Sequence, residues 1–132
     1  ELGVKERLVR NLYPKQGELW TVSFGQNAGS EINETRPALI IQNDESNLKA
    51  PTTIVLPITS HVPRSFAEVV FTADDVETFE TYNTKPEGTI RVEQIRNVSK
   101  ARLGTRIGRL SDAKLAEINK AMREVFMFGV NE

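Results

Sequence analysis

The sequence predicts a mainly β chain closed by a C-terminal helix, a small barrel-like sheet with the helix packed against it. Three observations carry this. From Gly17 to Leu110 the apolar residues fall in short runs, several rich in β-branched side chains and bounded by Gly, Asn, Asp or Pro. After Leu110 the period becomes helical, with Leu115, Ile118, Met122, Val125 and Phe126 on one face. At 132 residues and 39% hydrophobic content, the chain is long enough for one real core.

Taken in order, residues 1–14 read as an N-terminal extension, with a helical turn or two closed by Pro14, and residues 15–132 as the domain. Gly17 opens a strand in which Trp20, Val22 and Phe24 alternate with Leu19, Thr21 and Ser23. Gly25 to Thr35, with Asn27, Gly29, Ser30 and Asn33, reads as a long loop, and loops of that length tend to be functional. Pro37–Ile41 is an apolar run broken by Gln42-Asn43-Asp44. Thr53–Ile58 is another, with Pro57 marking a bulge or an edge because it lacks a ladder donor. Ala67–Phe71, Thr89–Asn97 and Thr105–Leu110 read as further strands, and Phe71–Gly88 as an exposed acidic connection. The helix runs from an N-cap at Ser111, with Asp112 at the positive end of its dipole, to about Phe128, and Gly129 stops it.

Composition excludes several chemistries. The chain has no cysteine, hence no disulfide, thiolate metal site or thiol nucleophile, which fits a cytoplasmic location. With His61 as its one histidine, a zinc site built from several imidazoles is excluded too, so neither metal nor cofactor is expected. No run approaches the roughly 18–20 apolar residues of a membrane span, and no membrane association is expected. Net charge is −1, but unevenly spread. Arg91, Arg96, Lys100, Arg102, Arg106 and Arg109 face one acid, Glu93, between positions 91 and 109, whereas Glu68, Asp74, Asp75, Glu77 and Glu80 cluster without a base. One segment would face phosphates while the other stays solvated; two ordinary surface segments are the alternative.

Four ordered blocks add a resemblance. Gly29-Ser30-Glu31, four further residues, and then Arg36-Pro37-Ala38-Leu39-Ile40-Ile41-Gln42-Asn43-Asp44 form the first. Gly17-Glu18-Leu19-Trp20, Thr53 to Ser60 (TIVLPITS), and Val92-Glu93-Gln94-Ile95-Arg96 with Lys100, Arg102 and Leu103 are the others. Together they cover about residues 15–110, and they closely resemble the MazF/PemK family of toxins. The resemblance implies an SH3-like barrel that forms a homodimer and cuts single-stranded RNA without a metal. The 2′-hydroxyl attacks the adjacent phosphorus, leaving a 2′,3′-cyclic phosphate and a 5′-hydroxyl. It also implies a cognate antitoxin of the MazE/PemI kind, which lays a disordered segment across the RNA groove.

By the same resemblance the catalytic arginine is Arg36 and the catalytic threonine Thr59. Such a reaction needs charge stabilised on the phosphoryl oxygens, which suits the planar fork of Arg36, with the Thr59 hydroxyl as a further donor. Arginine is a poor general base at neutral pH, its pKa exceeding about 12. The plainer alternatives are a surface arginine opening a strand and a β-forming threonine ending one. Ser30 and Glu31 fall in the loop expected to touch RNA, with loop polarity as the alternative. Gln94 is expected at a base edge and Arg96 at a phosphate, unless both simply face solvent from a strand. Trp20 and Phe24 read as core or dimer contact rather than base-stacking platforms, and the Arg106–Arg109 pair as a solvated face. His61 is not a hallmark of the family. On a continuing strand it would share a face with Thr59, where an imidazole suits proton transfer; a loop histidine without a role is the alternative.

Two other functions compete. A CcdB-like protein uses the same barrel to poison a protein target such as gyrase, and the apolar Phe126, Phe128 and Val130 keep that open. A catalytically silent RNA-binding relative is the other.

Overall fold

The computed structural model describes residues 13–25, 34–60, 63, 67–79 and 86–129. Among these, eight strands and two helices follow one another: β1 (Glu18–Ser23), β2 (Thr35–Ile40), α1 (Asp44–Lys49), β3 (Thr52–Thr59), β4 (Glu68–Phe71), β5 (Val76–Thr78), β6 (Gly88–Arg91), β7 (Arg96–Ser99), β8 (Leu103–Leu110) and α2 (Asp112–Phe126). The strands pair antiparallel in the order β4-β6-β3-β2-β1-β8-β5, with β7 also against β3. β4 and β5 stand at opposite ends of that order, yet only the Ala73–Asp75 turn separates them in the chain. The sheet therefore curls round on itself as a half-barrel, the mainly β architecture with a terminal helix that the sequence predicts.

Alternation on the strands divides the apolar residues between two cores. Leu19, Leu39, Leu56, Ile58, Phe71, Ile90, Ile107 and Leu110 pack with Ile118 and Ala121 of α2. Trp20, Val22, Phe24, Ala38, Ile40, Val55 and Val98 make the second core on the other face. Since both faces of β1 to β3 are covered, these strands read as nearly continuous apolar runs. Each fully buried Leu or Ile contributes about 1.5–3 kcal/mol. Trp20, Val22 and Phe24 are no more than 7% exposed within one chain, so they offer no free face for a dimer.

Several elements differ from expectation. The stretch after Ile41 holds α1, a six-residue helix capped by the Asn43 side chain, which accepts from Ser46 N at 2.8 Å. Its buried Asn47 accepts from Thr53 Oγ1 at 2.6 Å and donates from Nδ2 to the Gln42 carbonyl at 2.8 Å, so tertiary contacts hold a helix too short to stand alone. Pro57 marks neither an edge nor a bulge: it sits where β3, still paired with β2 through Ala38, passes from β7 to β6 on its other side. The acidic connection contains β5, whose Val76 is buried and whose Glu77 lies opposite Arg109 on β8. The expected strand over Thr89–Asn97 is split by a tight turn at Val92–Gln94. α2 ends at Phe126, before Gly129, and Phe126 is exposed instead of lining the core. The expected helical turns before Pro14 lie outside the described residues.

Candidate active site

The β2–β3 ladder runs Ile40↔Val55, Leu39↔Leu56, Ala38↔Pro57. Arg36 lies two residues before Ala38 and Thr59 two residues after Pro57, so both stand on the face of that last pair, at the same end of the ladder. Pro37 keeps Arg36 extended, since the ring disfavours helical dihedrals in the residue before it. Thr59 pairs across with Thr89 of β6. The preceding Gly88 has φ +152°, and a Cβ there would come within 2.5 Å of the Thr59 carbonyl oxygen. Only glycine lets β6 approach the end of β3 so closely.

Thr59 is 3% exposed, and its Oγ1 has no hydrogen-bond partner among the described residues. A buried hydroxyl without a partner costs about 1–3 kcal/mol, and such groups concentrate where a ligand completes them. Arg36 is half-buried. The alternation also settles which cations share the face. Arg96 stands opposite Val55, two positions before Pro57, with its guanidinium 5.6 Å from the Phe24 ring centroid. Arg91, two positions beyond Thr89 on β6, falls on the same face. Three strands thus present Arg36, Arg91 and Arg96 around Val55, Pro57 and Thr59. Arg91 belongs to the cationic segment expected to face phosphates, and period-two alternation from Thr89 brings it onto this face.

Gln94 lies in the turn between β6 and β7 and not on a strand, half-buried beside the exposed Ile95. Ser30, Glu31 and His61 lie outside the described residues. Arg106 departs from the solvated face expected of it: it pairs with the buried Glu18 and stacks 4.2 Å from the Phe79 ring centroid. Arg109 does face solvent, bridging to Asp112 at 3.1 Å. Lys100 sits 4.6 Å from the Tyr13 ring centroid, and desolvation holds its pKa below the ordinary lysine value. A groove of about 490 Å³ between α2 and the ends of β1 and β2, lined by Gln16, Ile41, Leu115 and Met122 among others, contains neither Arg36 nor Thr59. Its Gln16 is committed to Asp44 and Ile41, and its Arg109 to Asp112.

Residues 15–126 match the family model of the PemK-like, MazF-like toxin of type II toxin–antitoxin systems. The chain belongs to this family. The toxin chain is 31% identical over 115 residues to endoribonuclease MazF9 of Mycobacterium tuberculosis, covering 83% of this chain and 92% of that protein. It is 33% identical over 108 residues to endoribonuclease MazF of Staphylococcus saprophyticus, covering 82% and 87%. Its fold is similar to the crystal structure of MazF from Deinococcus radiodurans, with a TM-score of 0.74 at 20% identity over 88% of this chain and 98% of that one. It is also similar to a mycobacterial endoribonuclease solved with its cognate antitoxin, at TM-score 0.68 and 17% identity, covering 89% and 99%. Among the described residues of the toxin, no helix is long and apolar enough to cross a membrane. Nor do His, Asp and Glu gather there into a group that could hold a metal ion.

Proposed function

We propose that this toxin is an endoribonuclease that cuts single-stranded RNA on the face carrying Arg36 and Thr59, without a metal or cofactor. The RNA 2′-oxygen forms a bond to the adjacent phosphorus as the bond to the 5′-oxygen breaks. The 2′-hydroxyl proton leaves to a base and the departing 5′-oxygen gains a proton. The products are a 2′,3′-cyclic phosphate and a 5′-hydroxyl. Arg36 supplies a planar pair of donors to the phosphoryl oxygens, where negative charge builds in the transition state. Thr59 contributes its hydroxyl, and the buried, unpartnered state of that hydroxyl is the observation that carries the reading. Because it is buried, the site has to open as RNA docks.

Arg91 and Arg96 are assigned to neighbouring phosphates, Gln94, Ser30 and Glu31 to RNA contacts, and His61 is the candidate for proton transfer. The relatives' names specify endoribonucleases, and one solved relative is held by its cognate antitoxin. By the same logic an antitoxin segment would cover this cationic face and exclude RNA. A cytoplasmic homodimer completes the reading, its interface lying away from the buried Trp20–Phe24 face. The test is a defined RNA incubated in excess chelator with its ends mapped, beside a substrate carrying a 2′-deoxynucleotide at the cut. Cutting that spares the deoxy position and leaves cyclic phosphate ends supports the mechanism, whereas cutting at the deoxy position overturns it. One observation favours a CcdB-like protein-poisoning role: Phe126, Met127 and Phe128 are exposed at the end of α2. Intact RNA in the same assay is the outcome for that role and for a silent RNA-binding relative.

A further inference from the structure

Arg102 is exposed, yet its Nη1 donates to the Ser23 carbonyl at 2.9 Å, across 79 residues of chain. The reason lies in where β8 begins. Leu103, its first residue, stands opposite Val22, so no β8 backbone is left to pair with Ser23. The guanidinium takes over where the ladder stops. Its reach is set by a bulge, for the register slips by one residue between Trp20↔Arg106 and Val22↔Leu103. The Thr105 amide donates to Thr21 Oγ1 at 2.7 Å, and a Cβ on Gly104 would stand 2.5 Å from that same oxygen. The bulge therefore needs both a hydroxyl at position 21 and a glycine at position 104.

Beyond Ser23 the two strands are closed by a narrow neck. Phe24 N donates to Glu34 O and Glu34 N to Gly25 O, both at 2.8 Å. Gly25 has φ +74° and Glu34 has φ +65°, an uncommon conformation for a residue with a side chain and one that its surroundings have to hold. Ser23 pairs with Thr35 and Val22 with Arg36, so whatever fixes the end of β1 fixes the start of β2.

We propose that Arg102 is a positioning residue for Arg36, holding the end of β1, and through it the start of β2, in the geometry that aims the Arg36 guanidinium. This rests on the assignment of Arg36 to the transition state. The competing role for an exposed cation is direct contact with an RNA phosphate, and the two roles predict different measurements.

The experiment uses the intact protein, single-turnover cleavage of a defined single-stranded RNA, and binding of its 2′-deoxy analogue across a salt series. Arg102→Ala should lower the cleavage rate constant between about tenfold and a hundredfold, the scale of a small misplacement in an active site. Affinity for the analogue, and its slope against salt, should not change. Arg102→Gln and Arg102→Lys should each recover part of the rate, since either supplies a donor to the Ser23 carbonyl. If the alanine variant does not fold, these two carry the test. On an Arg36→Ala background, Arg102→Ala should add no further loss, because nothing remains to be aimed. An unchanged rate overturns the proposal. So does weaker binding with a salt slope shallower by about 1, or recovery by lysine without recovery by glutamine, both marks of a phosphate contact. Arg36→Ala cutting at full rate would sink the site reading itself; Arg36→Ala slow with Arg102→Ala at full rate would sink this inference alone.

Discussion

Arg106 donates from Nε to Oε2 of Glu18 at 2.8 Å, pairing a cation on β8 with a carboxylate that is 2% exposed on β1. The other carboxylate oxygen of Glu18 accepts from Lys15 N at 2.8 Å and Trp20 Nε1 at 3.1 Å. One buried acid thus ties together the chain entering β1, the second core and β8. Arg106→Ala leaves that charge without its counter-ion, and we expect a loss of about 3 kcal/mol in chemical denaturation. A loss below about 0.5 kcal/mol would show the pair to be no more than a surface contact.

Arg36→Ala should slow cleavage by about 10²–10³ while leaving the denaturation midpoint close to wild type, since its role is to stabilise charge in the transition state. Arg36→Lys should rescue poorly, because a point charge does not reproduce the two-pronged donor. Single-turnover rates check both, and an unchanged rate for alanine refutes the assignment.

Gly88→Ala places a methyl group 2.5 Å from the Thr59 carbonyl, against backbone that cannot swing aside. We expect both reduced stability and reduced cleavage, the second exceeding what the unfolded fraction explains. A variant with wild-type cleavage would show that the placement of Thr59 tolerates movement.

Cleavage should persist in excess EDTA, since Arg36 supplies the charge that a metal would otherwise supply. Activity lost on chelation and restored by Mg²⁺ would count against the mechanism.

Arg96→Glu should weaken RNA and antitoxin together, as both are expected to neutralise the same cations, and both affinities should fall as salt rises. The control belongs at Asp74, which is exposed, rather than at Asp75, whose carboxylate accepts from Thr72 N at 2.8 Å and caps the turn. Asp74→Lys should weaken neither. Titrations at two salt concentrations check this, and a stoichiometric complex of toxin, antitoxin and uncleaved RNA analogue would refute the shared surface.

The sequence by itself determined the features whose energetics are local or strongly patterned. Short apolar runs mark β2 and β3, the second rich in β-branched residues, and helical spacing behind the Ser111 cap marks α2. The ordered blocks around Arg36 and Thr59 name the toxin family and the two residues on which the chemistry is proposed to rest. Tertiary structure decided the rest, because the deciding interactions join residues far apart in the chain. α1 carries no apolar period and exists through its Asn43 cap and the contacts of Asn47. β5 is three residues long and acidic, and is a strand only because β8 pairs with it. Gln94 sits on a turn because β3 takes β6 and β7 in succession, which forces the chain between them to bend. Arg106 is a half-buried brace, although its local sequence is indistinguishable from a solvated one, since its buried partner Glu18 lies 88 residues away. Arg36 and Thr59 reach one face for the same kind of reason: a one-residue slip in the β2–β3 register would turn one of them to the opposite side of the sheet, and the packing of Ala38, Ile40 and Val55 in the second core holds that register.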